Sequence, residues 1–88
     1  MQEFKPDLYV VARVIKNLIE KGPMNKTRLA GASEISYDKF LLYFDWMCLK
    51  NLIKEENGTV SVMEEGIRTY NLLVDWILKH VGKLMFRR

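Results

Sequence analysis

The chain has 88 residues, of which 49% are hydrophobic and 28% are charged, and its formal net charge is +3. This length accommodates one domain, so residues 1–88 are treated as a single unit, and the apolar content excludes a disordered chain. A single cysteine excludes a disulfide within the chain, and no stretch reaches the ~18 apolar residues of a membrane span. Because its start also lacks a signal-peptide pattern, the sequence predicts a soluble, cytoplasmic protein that does not enter a membrane.

The first predicted element is a helix that begins after Pro6 and Asp7, a proline and an acid at positions typical of a helix start. It ends at Lys21, Gly22 and Pro23, a basic last turn followed by a glycine and a helix breaker. Its apolar residues recur at intervals of three and four, which is typical of a buried helix face. They are Leu8, Val11, Ala12, Ile15, Leu18 and Ile19.

Residues 26–51 predict two helices joined by a short turn, a helix-turn-helix. Asn25 is a good N-cap for a short helix from Lys26 to about Ala32, and Ser36 is a good N-cap for the longer helix that follows. At 100° per residue, one face of the longer helix is predicted to be directed at the core and the other outwards. The inner face comprises Tyr37, Phe40, Leu41, Phe44, Met47, Cys48 and Asn51, and the outer face comprises Lys39, Leu42, Tyr43, Trp46, Leu49 and Lys50.

Residues 52–63 predict a β-hairpin, because two short strand candidates flank Asn57-Gly58, the strongest short hairpin signal. Glu64 and Glu65 then begin a last helix, predicted over residues 64–86, with negative charge where the helix dipole favours it. Its apolar residues follow a coiled-coil spacing: Ile67, Tyr70, Val74, Ile77, Val81 and Leu84. We therefore predict a homodimer in which the last helices pair through Tyr70, Val74, Ile77, Val81 and Leu84.

Three motifs occur in order along this chain: Ser36-Tyr37, Leu52-Ile53 and Met63-Glu64-Glu65-Gly66. In this order the chain resembles the small winged-helix regulators of archaea, over roughly residues 8–75, with Met63 where those proteins carry threonine. The resemblance implies an α+β, mostly α fold: a winged helix-turn-helix with a two-stranded wing and a long C-terminal dimerisation helix. It also implies a DNA-binding transcriptional regulator that acts as a homodimer.

Double-stranded DNA is the partner that the resemblance implies. In a helix-turn-helix the first helix crosses the DNA backbone and the second lies in the major groove, where Lys39 can donate to a guanine edge. The candidate DNA-binding residues are Lys26, Arg28, Ser36, Tyr37, Lys39, Tyr43 and Trp46. The alternative is that the three cations only solvate the surface.

Acidic residues lower the DNA affinity expected of one domain. In the longer helix Asp38 and Asp45 balance Lys39 and Lys50, and the wing carries two glutamates, at positions 55 and 56. Affinity for DNA comes mainly from the neutralisation of phosphates, so a single domain is expected to bind weakly. This balance favours the rival hypothesis, a winged helix that serves only as a protein-interaction module and binds no DNA, because fold alone does not determine function.

The outer face of the longer helix also carries an apolar strip of Leu42, Trp46 and Leu49. Exposed apolar strips mark protein partner sites, so a partner at these residues is one hypothesis. The alternative is that the last helix, a dimer contact, or the N-terminal segment with Phe4 and Leu8 covers the strip.

Neither catalysis nor a cofactor is predicted. The single histidine, His80, and the single cysteine, Cys48, have no nearby acidic cluster, so no metal site or nucleophile–base pair is expected. Four cations follow Asp75 with no acid among them: Lys79, Lys83, Arg87 and Arg88. They complement the dipole of the last helix, or, in a dimer, they supply phosphate contacts that the recognition helices lack.

Overall fold

The computed structural model describes residues 4–80, which form four helices and one two-stranded antiparallel sheet. The elements are α1 (Leu8–Lys21), α2 (Lys26–Ala32), α3 (Tyr37–Leu49), β1 (Ile53–Glu56), β2 (Thr59–Val62) and α4 (Glu64–His80). This mostly helical α+β order confirms the predicted class and is compatible with a winged helix. Among the described helices, none is long and apolar enough to cross a membrane. The predicted part of the last helix beyond residue 80 lies outside the described residues.

Side-chain caps fix the helix starts, at Asn25 and Ser36 as the sequence predicts, and also at Asp7, which the sequence predicts only as an acid near the start of the first helix. The Asp7 carboxylate accepts a hydrogen bond from the Tyr9 amide, and the Asn25 side chain accepts one from the Arg28 amide. Ser36 accepts one from the amide of the third residue of α3. Each cap contributes about 1 kcal/mol, so these residues determine where α1, α2 and α3 begin.

The hairpin is joined to the helices by a backbone bridge. Within the hairpin Ile53 pairs with Val62, and the turn at Asn57 and Gly58 has positive φ at both residues. Outside it, Met24 exchanges two hydrogen bonds with Val60, at 3.2 and 2.8 Å. The α1–α2 loop therefore adds a short third partner to the sheet and holds the hairpin against the core.

The core lies where α1, α2, α3 and the hairpin meet. Its most deeply buried apolar side chains are Val11, Val14, Ile15, Leu29, Phe40, Met47, Ile53 and Val60. Two polar side chains of α1 reach the turn between α2 and α3. Arg13 Nε donates to the Ser33 carbonyl at 2.8 Å, and Asn17 Nδ2 donates to the Ala32 carbonyl at 3.2 Å. These bonds fix the orientation of the α2–α3 pair on α1.

Helix α4 begins in close contact with the backbone that precedes β1. A Cβ added at Gly66 would overlap the Leu52 carbonyl oxygen and would lie 2.8 Å from Val62 Cγ2. Only glycine allows this approach, so Gly66 fixes the start of α4 against the hairpin. Beyond this point α4 packs along α1.

We predict that Gly66→Ala destabilises the protein by about 2–3 kcal/mol, because the added methyl group would overlap the Leu52 carbonyl oxygen and force the backbone to shift. Urea unfolding measures the change. Gly31→Ala is the matched control, since the space around Gly31 is open and alanine is the better helix former. The control is expected to stabilise by about 0.5–1 kcal/mol. Equal effects of the two substitutions would contradict the close contact.

Candidate functional site

The exposed side of α3 is a single stripe that alternates acidic and apolar residues. Asp38, Leu42, Asp45 and Leu49 follow one another at intervals of four, three and four residues and all are exposed. The side chain of Leu49 is 81% accessible and that of Leu42 is 55% accessible. We call these four residues the outer stripe. The outer stripe contains no cation.

The first turn of α3 differs from the rest of the helix. Tyr37 and Lys39 are exposed there, and the Tyr37 ring stacks on Phe40 with centroids 6.3 Å apart. The Ser36 hydroxyl accepts from the Lys39 amide at 3.3 Å, so it serves as the helix cap. Arg28 is exposed on α2, and within residues 4–80 neither Arg28 nor Lys39 lies within 4.0 Å of a carboxylate. These two cations are therefore available to a ligand.

Lys26 is held differently from the other candidate cations. Its ammonium lies 3.6 Å from a Glu55 carboxylate oxygen and 4.9 Å from the centroid of the Phe44 ring. The side chain is about one-third exposed. It thus connects α2, α3 and β1, and a phosphate would have to compete with both contacts.

The prediction that Tyr43 faces outwards is wrong. Its side chain is 4% exposed, its hydroxyl accepts a hydrogen bond from the Asp7 amide at 2.9 Å, and the Phe4 ring packs edge-on against it at 5.0 Å. The cause is the N-terminal segment, residues 4–7, which lies along this side of α3. Tyr43 therefore belongs to the core and offers no surface to DNA.

The same segment covers only part of the predicted apolar strip. Trp46 is half-buried, with Phe4 at 6.5 Å on one side and the Lys50 ammonium 5.8 Å from its ring centroid. Leu42 and Leu49 remain exposed, and Leu8 lies exposed on α1. Residues 4–7 therefore cover Trp46 but leave the two leucines open.

The predicted dimer seam is used partly within the chain. Ile77 is buried, and together with half-buried Tyr70 and Val74 it borders a groove against α1. These three residues of the seam thus face α1 of the same chain. The other two predicted interface residues, Val81 and Leu84, lie outside the described residues.

A different side of α4 is apolar and exposed. Leu72 is 65% accessible and Trp76 is 54% accessible, and both lie beside exposed Leu8. With Thr69 and Leu73 these residues line a groove of about 380 Å³. We call this surface the α4 flank. The sequence shows that Leu72 and Trp76 lie off the seam. Their exposure depends on where α1 packs against α4, which the sequence does not indicate.

Carboxylates act on the Cys48 thiol at the edge between α3 and the hairpin. Burial raises the pKa of the Cys48 thiol, and the carboxylates of Asp45 and then Glu55 raise it further, while Lys26 acts in the opposite direction. Two acids from different elements therefore act on one thiol.

His80 is exposed at the last described position of α4. Its ring stacks on Trp76 with centroids 4.4 Å apart, and its Nδ1 lies 2.9 Å from the Trp76 carbonyl oxygen. Over residues 4–80, no three His, Cys, Asp or Glu side chains are grouped so that they could hold a metal ion.

We predict that alkylation of Cys48 requires a higher pH than alkylation of an ordinary thiol, because only the thiolate reacts. Asp45→Asn removes one of the charges that raise this pKa, so the pH midpoint of the iodoacetamide reaction is expected to fall. Asp38→Asn is the control, since Asp38 is not among the charges that act on the thiol. Equal shifts in both variants would contradict an acidic edge at Cys48.

Comparison with known proteins gives no family assignment. Neither a protein-family model nor a curated protein sequence matches the chain.

Proposed function

We propose that the protein is a winged-helix transcriptional regulator that binds duplex DNA through α2 and the first turn of α3. The observation that carries this proposal is the pair of cations without carboxylate partners in the described chain, Arg28 and Lys39, on two helices joined by a short turn. In such an arrangement the first helix contacts the backbone and the second enters the major groove. Arg28 then contacts phosphate, and Lys39 contacts phosphate or a guanine edge.

Tyr37 has a supporting role in this proposal. It is exposed beside Lys39 and is held by its stacking on Phe40, so its hydroxyl is positioned to donate to a phosphate oxygen. Ser36 contributes by capping α3: its hydroxyl accepts from the Lys39 amide and so fixes where the helix begins. Lys26, Tyr43 and Trp46 are not assigned DNA contacts, since their side chains are engaged within the protein.

A homodimer completes the proposal. One domain offers few phosphate contacts and an acidic outer stripe, so its affinity for DNA is low, and two linked domains double the contacts. We propose that the second copy docks on the α4 flank rather than on the seam. Antiparallel α4 helices place the ion-paired Glu65 and Arg68 of one copy beside the ion-paired Asp75 and Lys79 of the other.

A protein-interaction module is the second candidate function. The outer stripe favours it, because two exposed leucines separated by carboxylates suit a protein surface better than a phosphate backbone. In that case the chain binds no DNA, and α3 contacts a protein. Direct measurement of DNA binding separates the two candidates.

We predict that the protein binds mixed-sequence duplex DNA at low salt, ~50 mM, and that Arg28→Ala and Lys39→Ala each weaken this binding. If each cation contacts one phosphate, each substitution also reduces the slope of log K against log salt by about one unit. Fluorescence anisotropy over a salt series gives both quantities. Lys16→Ala is the matched control, because Lys16 carries the same charge on α1, outside the α2–α3 pair. Absence of binding at low salt would instead support the interaction module.

We predict that the chain sediments as a dimer at micromolar concentration and that Leu72→Asp makes it monomeric, because a charge buried in an interface costs several kcal/mol. Leu78→Asp is the control: Leu78 is similarly exposed but lies on the opposite side of α4. Substitution of Ile77 is not informative, since its burial against α1 makes loss of folding the expected result. A monomeric wild-type chain, or dissociation by Leu78→Asp alone, would contradict docking on the α4 flank.

A further inference from the structure

The outer stripe of α3 has the spacing of one side of a helix pair. Leu42 and Leu49 are seven residues apart, and so are Asp38 and Asp45. Each pair is therefore separated by about 10.5 Å along the helix axis, at 1.5 Å per residue. At 100° per residue the four positions lie within about 60° of one another. The leucines and the carboxylates thus alternate along one exposed line.

This spacing matches a helical partner better than an extended one. On one face of a helix, residues seven apart also lie about 10.5 Å apart, so they can meet Leu42 and Leu49 together. In a strand, residues on one face repeat about every 6.7 Å, so the available separations are about 6.7 and 13.4 Å. Neither of these matches the two leucines. The stripe therefore favours a helix.

The carboxylates of the stripe define the charge of that helix. Within residues 4–80, neither Asp38 nor Asp45 has a cationic group within 4.0 Å. A helix that covered the two exposed leucines would partly remove water from both carboxylates, which is costly unless cations replace the water. Lysine and arginine can pair with a carboxylate while their alkyl chains lie on apolar surface.

Other occupants fit the stripe less well. A second copy docked stripe to stripe would oppose carboxylate to carboxylate, and the same groups repel the phosphates of DNA. An uncharged apolar helix would cover the leucines but leave both carboxylates without partners. A helix that carries both apolar and cationic residues satisfies the whole stripe.

We propose that the outer stripe binds a basic amphipathic helix of another protein. Apolar residues seven apart pack on Leu42 and Leu49, and lysine or arginine between them pairs with Asp38 and Asp45. Four side chains supply far less than the ~800 Å² per partner of a stable complex, so the contact is transient, with a Kd of about 10–100 μM. The proposal deepens the second candidate function, protein interaction. Its test contains no DNA, so its failure leaves the proposed DNA contact untouched.

Two synthetic peptides of about four helical turns test the proposal. The basic peptide repeats leucine every seven residues, with lysine between the leucines on the same face and alanine elsewhere to keep it helical. The acidic peptide has glutamate in place of each lysine, and circular dichroism establishes that both are helical. Anisotropy of the labelled peptides is expected to show binding of the basic peptide only. Equal binding of both peptides would overturn the proposal. So would binding of neither, the result if a second copy or another part of this chain occupies the stripe.

Substitution of the leucines locates the bound peptide. Leu42→Ala and Leu49→Ala are each expected to weaken binding of the basic peptide about five- to tenfold, because each removes apolar surface from the contact. Leu78→Ala is the control, since Leu78 is 51% accessible, close to the 55% of Leu42, and lies on α4. Equal weakening by Leu78→Ala would overturn the proposed location.

Charge reversal tests the pairing with cations. Asp45→Lys is expected to weaken binding of the basic peptide and strengthen binding of the acidic one, which changes the ratio of the two affinities by about tenfold or more. Asp75→Lys is the control, because Asp75 is an exposed aspartate on α4 and its reversal changes the net charge equally. Circular dichroism of each variant establishes that it is folded. An unchanged ratio for Asp45→Lys, or an equal change for Asp75→Lys, would overturn the proposal.

Discussion

The enclosure of α3 on three sides is the constraint on which the rest of the structure depends. Phe40 and Met47 are buried in the core, the hairpin adjoins the side that bears Cys48, and residues 4–7 lie on the third side, where the Asp7 amide binds the Tyr43 hydroxyl. Only the outer stripe and the first turn remain exposed. The enclosure therefore limits any ligand of α3 to these two places, and they differ in charge.

This limit explains how little cationic surface the α2–α3 pair offers. Lys26 is engaged with Glu55 and Phe44, and Lys54 at the hairpin lies 3.7 Å from Glu56. Exposed ion pairs of this kind contribute at most about 1 kcal/mol each, so they matter less for stability than for the charge they neutralise. The hairpin presents no strong positive field to DNA. The proposed DNA contact consequently rests on Arg28 and Lys39, and the proposed homodimer would strengthen it by repeating these contacts.

The sequence predicts more of the fold than of the exposed surfaces. Caps and turns are local signals, so Asn25, Ser36 and Asn57-Gly58 fixed the helix starts and the hairpin. The position of Tyr43 could not be predicted, because helical periodicity gives the angle of a side chain but not which neighbour covers it. The segment that covers it, residues 4–7, is short and has no periodicity of its own.

Two further differences have the same origin. The partner of Lys26 is Glu55, which lies in another element far along the chain, and local composition contains no information about such a pair. The spacing of Tyr70, Val74 and Ile77 predicts a helix packed against a second helix, but it does not distinguish α1 of the same chain from α4 of another. The spacing of positions 38, 42, 45 and 49 places these four residues on one side of α3. It does not indicate which side of α3 the rest of the chain covers.

The two exposed apolar surfaces, the α4 flank and the outer stripe, differ in the charges at their edges. The α4 flank is edged by both signs, Glu65 and Arg68 at one end and Asp75 and Lys79 at the other, so two antiparallel copies can place opposite charges together. The outer stripe carries only carboxylates. Two copies paired through it would bring Asp38 and Asp45 of one against those of the other, which is unfavourable. The stripe therefore disfavours pairing with a second stripe and suits a partner surface that carries cationic side chains.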